Sequence, residues 1–214
     1  MLFRSAVTAI GAISPPGGDL SEPVTQSTLR IVKAFWGLDA QLAYRRHFPS
    51  INWMDSYSLY EDKVGEWMDK EVASDWVTIR TEAMALLQEE ATLEEIVRLV
   101  GIDALSERDR LKLEVSKSLR EDYLQQNAFN EVDTYSSLAK QYKMLKLVLQ
   151  FYHEGEKALE AGIYLKEILD IEVRDRIARS KYIPEEDISK IDQISKDLSS
   201  AIDNLISKGG VVNA

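Results

Sequence analysis

The chain of 214 residues contains no cysteine, which excludes disulfides, thiol nucleophiles and cysteine-based metal or iron–sulfur sites. That lack fits a cytoplasmic address. Histidine is scarce: His47 and His153 have no carboxylate or histidine at ligand spacing, and both read as surface or packing residues rather than metal ligands. No apolar run approaches the roughly 20 residues that span a bilayer, and the opening "MLFRSAVTAIGAIS" has neither the length nor the cleavage pattern of an export signal. Direct membrane insertion is therefore not expected. Positive charge is also in deficit, with 26 Lys and Arg against 36 Asp and Glu. Residues 1–50 carry five basic and three acidic side chains, so the excess negative charge lies wholly beyond them. A face for DNA or RNA needs clustered Lys and Arg to displace counterions. Nucleic acid is set aside as a partner.

What is present is a folded chain, 45% hydrophobic and long enough to bury a core. Four of the five prolines (Pro15, Pro16, Pro23 and Pro49) fall in the first fifty residues, and Pro184 stands alone near the end. "SAVTAIGAIS" reads as a strand. "SPPGGDLSEP" follows as a compact loop, and Pro23 sits where proline opens a helix, since its missing N–H would have no partner there. A lone strand cannot satisfy its own backbone groups. The chain is accordingly expected to be the C-terminal fragment of a longer polypeptide.

From about residue 55 the pattern turns helical. "WVTIRTEAMALLQEEATLEEIVRLVG" sets Trp76, Ile79, Ala83, Leu86, Leu87, Leu93, Ile96, Val97 and Val100 at spacings of three and four, with Gly101 as the stop. "LSERDRLKLEVSKSLREDYLQQ" begins at Ser106 as N-cap, with Asp109 three residues on in a capping-box-like arrangement. Two antiparallel helices joined by a short turn are implied. "SSLAKQYKMLKLVLQFYHEGEKALEAG" is a third helix, and "PEEDISKIDQISKDLSSAIDNLISK" a fourth, with Pro184 in its first turn. The last carries Ile188, Ile191, Ile194, Leu198, Ile202 and Leu205 on one side. Packing onto its own domain is preferred over a coiled coil with a partner, because about three heptads are marginal for the latter. The expected fold is mainly α, a helical bundle after a short strand and helix remnant.

Motifs for chemistry are few. "PPGGD" lacks the GxxxxGK[ST] spacing of a phosphate loop, and the acidic clusters "QEEATLEE" and "REDY" read as solvated helix faces. Two aromatics are less ordinary: Phe48 immediately before Pro49, and Phe129 among Asn127, Asn130 and Glu131. Polar neighbours favour a partly exposed ring, which near a cleft can stack on a nucleobase for roughly 1 to 3 kcal/mol. From the residues alone, packing in a core or interface is the first reading and stacking the alternative.

Taken together, "GAISPPGGDLSEPVTQSTLRIVKAFWGLDAQLAYRRHFPSINWMDSYSLY" and "LQQNAFNEVDTY" resemble the catalytic A subunit of archaeal-type and vacuolar-type rotary ATPases. The first resembles the end of its nucleotide-binding domain and the second its C-terminal helical domain. The resemblance covers about Val7 to Ile183, and it divides the chain into residues 1–56, the edge of an α/β nucleotide-binding domain, and 57–214, the helical bundle. It implies adenine contact by Phe48 and Phe129. "GGDLSEP" is similar to a rotor-contacting loop of the related F-type β subunit, which implies central-stalk contact by Asp19, Ser21 and Glu22. "DALSERD" is similar to the acidic turn of that subunit, which adds Asp103, Ser106, Glu107 and Asp109. The complete subunit would use ATP or ADP with magnesium to make or consume ATP coupled to ion translocation. Its partners would be the B subunit, the central stalk and the peripheral stalk, and it would sit peripherally on the membrane. The residues of phosphate and metal chemistry are not in this chain, so no catalytic, metal or cofactor site is expected here, and the chain alone should be inactive. An acidic helical adaptor that never meets a nucleotide is the rival reading.

Overall fold

The computed structural model describes residues 7–212. Residues 7–14, expected as a strand, have no regular structure, with Val7 and Ile10 94% and 86% exposed. Ser5 and Ala6, the start of that expected strand, lie outside the described residues. The reason is the one that makes lone strands unstable: no strand among the described residues lies beside this segment to take up its N–H and C=O groups. The loop after it is compact. Pro16–Gly18 form a single 3₁₀ turn, and Gly17 and Gly18 take φ of 65° and 75°, a region open to glycine at little cost.

Helix α1 (Pro23–Leu29) opens with Pro23 at its first position as its sequence suggests, and Glu22 is the N-cap. Strands β1 (Ala34–Leu38) and β2 (Ile51–Ser58) pair antiparallel across the short helix α2 (Ala40–Tyr44). The register runs Ala34 to Ser58 and Phe35 to Tyr57, then slips to Gly37 with Asn52 and Leu38 with Ile51. At the slip the Ser56 hydroxyl bonds both the Gly37 N–H and the Asn52 carbonyl, so the irregular backbone keeps its partners. The periodicity of 34–58 did not announce this hairpin.

The rest is helical: α3 (Glu61–Glu71), α4 (Trp76–Val100), α5 (Glu107–Ser118), α6 (Leu138–Glu160), α7 (Leu165–Leu169), α8 (Val173–Ala178) and α9 (Ser189–Val212). The expected bounds of α4 hold, and Gly101 ends it at φ 89°. Ser106 caps α5 as expected, accepting the Asp109 N–H at 3.2 Å. The expected continuation of α5 to Gln126 is corrected: from Leu119 to Leu124 the chain widens into a π-helical segment. Helix α9 begins later than expected, Pro184 leading instead into a 3₁₀ turn, Glu185–Asp187.

Helix α6 is the centre of the bundle. Met144, Leu145, Leu147, Val148, Leu149, Phe151 and Tyr152 are all buried, which leaves only a narrow wet stripe through Lys146, His153 and Glu160. Helices α4, α5 and α9 pack around it, and Ile191, Ile194, Leu198 and Ile202 of α9 close the core. The preference for packing α9 onto its own domain is what the structure shows.

Candidate functional site

Phe48 lies between α2 and β2, half exposed, where Arg46 takes a φ of 58°. His47 next to it turns inward to 9% exposure, its ring centroid 5.6 Å from that of Trp53. Burial pulls the imidazole pKa below its ordinary value, and the charges of Arg120 and Lys181 push in the same direction. His47 is therefore a packing residue.

Phe129 is fully exposed, so the core-packing reading fails for it. Its loop is nonetheless ordered by its own side chains. The Asn127 side-chain oxygen accepts the Phe129 N–H at 3.0 Å, and the Asn130 oxygen accepts those of Val132 and Asp133, each at 3.0 Å. Buried Asp133 accepts the Asn127 N–H at 2.6 Å, and its carbonyl takes the Gln126 amide at 2.7 Å. A phenyl ring is thus held in solvent by a loop whose main chain is bonded to its own Asn127, Asn130 and Asp133 side chains. The base of the loop is tied to the other aromatic: Gln126 N–H donates to the Phe48 carbonyl at 2.7 Å. Phe129 follows Gln126 by three residues, so chain geometry keeps their Cα atoms within about 11 Å. The structure brings Phe48 and Phe129 to one region.

The acidic residues behave differently. Asp19 accepts the Ser21 N–H at 2.9 Å, and this contact with Ser21 holds its pKa below the usual carboxylate value. Glu22 accepts the Thr25 N–H at 2.9 Å, which lowers its pKa too and commits the side chain to capping α1. In the α4–α5 turn, Asp103 faces Arg110 at 3.2 Å, and Ser106 donates to Asp109 at 2.7 Å. Glu107 accepts the Leu165 N–H at 3.4 Å. Each acid of that turn already has a partner in this chain. Among the described residues, no hydrogen bond joins the Asp19–Glu22 loop to the Asp103–Asp109 turn. The sequence reading missed what surrounds the turn: Leu99, Val100 and Ile102 are 81%, 65% and 51% exposed. Leu99 was a usable signal, since it falls off the apolar stripe of α4.

Residues 65–169 match the family described as the C-terminal domain of V and A type ATP synthase, and residues 3–58 match the nucleotide-binding domain of the ATP synthase alpha/beta family. V-type ATP synthase alpha chains of Clostridium botulinum strain Hall and Clostridium perfringens strain SM101 are each 76% identical over 211 residues, 99% of this chain. The chain belongs to the V- and A-type ATP synthase alpha-chain family. It spans 36% of the length of these relatives, matching their C-terminal part. A solved ATP synthase subunit, NeqB of Nanoarcheaum equitans, shares the fold at a TM-score of 0.55 and 18% identity, over 64% of this chain and 34% of that one. Among the described residues no helix is long and apolar enough to cross a membrane.

Proposed function

We propose that this chain is the part of a rotary ATP synthase catalytic subunit that closes over the adenine ring and relays nucleotide state to the central stalk. The division runs at residue 56, with the hairpin region as the edge of the nucleotide-binding domain and the bundle as the lever. Phe48 and Phe129 flank the base. The observation carrying this reading is the fully exposed Phe129 ring on an internally bonded loop, tied at its base to the Phe48 carbonyl. The acidic loop at Asp19, Ser21 and Glu22 and the turn with Asp103, Ser106, Glu107 and Asp109 face the stalk in the assembled complex.

The complete subunit makes or hydrolyses ATP with magnesium, beside the B subunit and the central and peripheral stalks, on the membrane surface. These residues fit only the adenine end of the nucleotide. The chain has no GxxxxGK[ST] loop and, among the described residues, no group of three or more His, Asp or Glu side chains placed to hold a metal. Phosphoryl transfer is therefore not assigned to them.

Titrating the complete alpha chain with fluorescent ADP tests the reading. Loss of a stacking ring should weaken binding in Phe129→Ala by about tenfold, the scale of one base–aromatic stack. An adaptor that never meets a nucleotide predicts identical curves for the two proteins, and that result would sink the proposal.

A further inference from the structure

Gln125 and Gln126, just past the π-helical segment Leu119–Leu124, bond the chain between α2 and β2, and one buried side chain serves carbonyls in and after that segment. Lys181, 8% exposed in the turn Ser180–Tyr182, donates from Nζ to the Glu121 carbonyl at 2.8 Å and to that of Gln125 at 3.3 Å. Helix ends leave their last carbonyls without internal partners, and a cation there answers both the missing donors and the dipole. Lys181 is itself held from behind. Its carbonyl accepts from Nζ of Lys140, 1% exposed in the first turn of α6, at 2.8 Å. The α6 cap Ser137 is bonded through its N–H and hydroxyl to the Glu185 carboxylate at 2.9 and 2.7 Å. A buried ammonium is costly unless fully hydrogen-bonded. Lys181 offsets part of that cost with two main-chain carbonyls and Lys140 with one, which ties those carbonyls to the two side chains.

The Gln125 carbonyl and the Gln126 N–H belong to one planar peptide group. Lys181 holds its oxygen, and the Phe48 carbonyl takes its hydrogen at 2.7 Å. Gln125 adds a side-chain bond from Nε2 to the Arg46 carbonyl at 3.3 Å. Because the group is rigid, moving one side tilts the other, and a positive charge on the oxygen strengthens the bond made by the hydrogen.

We propose that Lys181 is a positioning residue: by clamping the Gln125–Gln126 peptide it sets the placement of Phe48 relative to Phe129. The inference rests on reading those two rings as an adenine site. It adds the residue that keeps the site assembled from a hairpin and a bundle distant in sequence.

The test compares wild type, Lys181→Met and Lys181→Arg in the complete alpha chain. Hydrogen exchange at the Gln126 amide should quicken by about tenfold in Lys181→Met and return near wild type in Lys181→Arg, which keeps charge and donors. Fluorescent ADP should bind Lys181→Met several-fold more weakly, while inorganic tripolyphosphate, which has no base, binds as before. Unchanged Gln126 exchange in Lys181→Met overturns the inference whatever happens to ADP. Faster exchange with ADP binding altered by Phe129→Ala but not by Lys181→Met also overturns it and leaves the adenine reading standing. ADP binding altered by neither variant overturns both. Should Lys181→Met lose amide protection throughout, Lys181→Arg decides: quickened Gln126 exchange in that variant, with the rest of the bundle still protected, refutes the clamp.

Discussion

His47 shows how a residue with no visible role acquires one from its surroundings. Sequence offered surface or packing, and could not choose, because apart from Trp53 on β2 the groups that decide lie far along the chain: Arg120 and Glu121 in the π-helical segment, and Lys181. Burial and the two cations lower its pKa, with Glu121 partly opposing. A depressed imidazole pKa means that the unfolded chain binds the proton more readily. The stability it contributes is fully present above the ordinary value of about 6.5 and is lost as pH falls through that value toward the folded one. Glu90 and Asp122 are shifted upward by burial, so their contribution runs the other way, being lost as pH rises. A bare pH profile would mix these. The difference between wild type and His47→Phe isolates the imidazole: urea midpoints measured from pH 7.5 to 5.5 should show the wild type losing ground to the variant as pH falls. A constant gap across that range would refute a buried neutral imidazole. By contrast His153, exposed at the surface of α6, keeps Glu82 at 2.9 Å and lies beside the ring of its neighbour Tyr152.

Helix ends were the most legible feature, because the signals that set them are local. Gly101 ends α4, Ser106 and Asp109 begin α5, and Pro23 begins α1, all within a few residues of the boundary they fix. The end of α5 was not legible. Its sequence stays helical through Gln126, and the widening at Leu119 accompanies carbonyl contacts with Lys181, a residue no local window contains. The hairpin escaped for the same reason, its slip being closed by a Ser56 hydroxyl across the strands. In the α4–α5 turn, legible letters misdirect the energetics. Moving a two-state element from mostly open to mostly closed takes about 5.5 kcal/mol of differential affinity, whereas an exposed ion pair supplies about 0 to 1. Asp103, Glu107 and Asp109 are moreover already partnered within the chain, beside the apolar surface of Leu99, Val100 and Ile102. Contact shape should therefore dominate. Asp103→Asn, Glu107→Gln and Asp109→Asn combined are expected to leave ions moved per ATP hydrolysed nearly unchanged in the reconstituted complex. Shortening the turn by two residues should lower that ratio severely, and equal damage from both would favour charge.

The bundle as a body was largely written in its apolar spacing. Ile79, Ala83, Leu86 and Leu87 of α4 are buried where periodicity put them, and Leu111, Val115 and Leu119, four apart in sequence, are buried after them. The pattern overreached at the end of α4: Ile96 and Val100, in the same stripe, are 38% and 65% exposed, because the helix runs on past the core it packs against. Periodicity says which residues share a face, not where the opposing helix stops. The same ambiguity applied to α9, whose stripe would suit a partner helix as well as α6. Leu198 and Ile202 have no exposure at all within a single chain, so α9 spends its apolar face internally. Truncating such a side chain removes its transfer energy and leaves a cavity, for about 2 to 5 kcal/mol, while a change at the exposed Leu99 should stay within about 0.5 kcal/mol. Leu198→Ala should accordingly lower the urea midpoint sharply and Leu99→Ala barely move it. If α9 paired between chains instead, unfolding would couple to association by mass action, and the midpoints would rise with protein concentration. Midpoints that stay fixed over a hundredfold dilution, together with the large Leu198→Ala loss, are the outcome that internal packing requires.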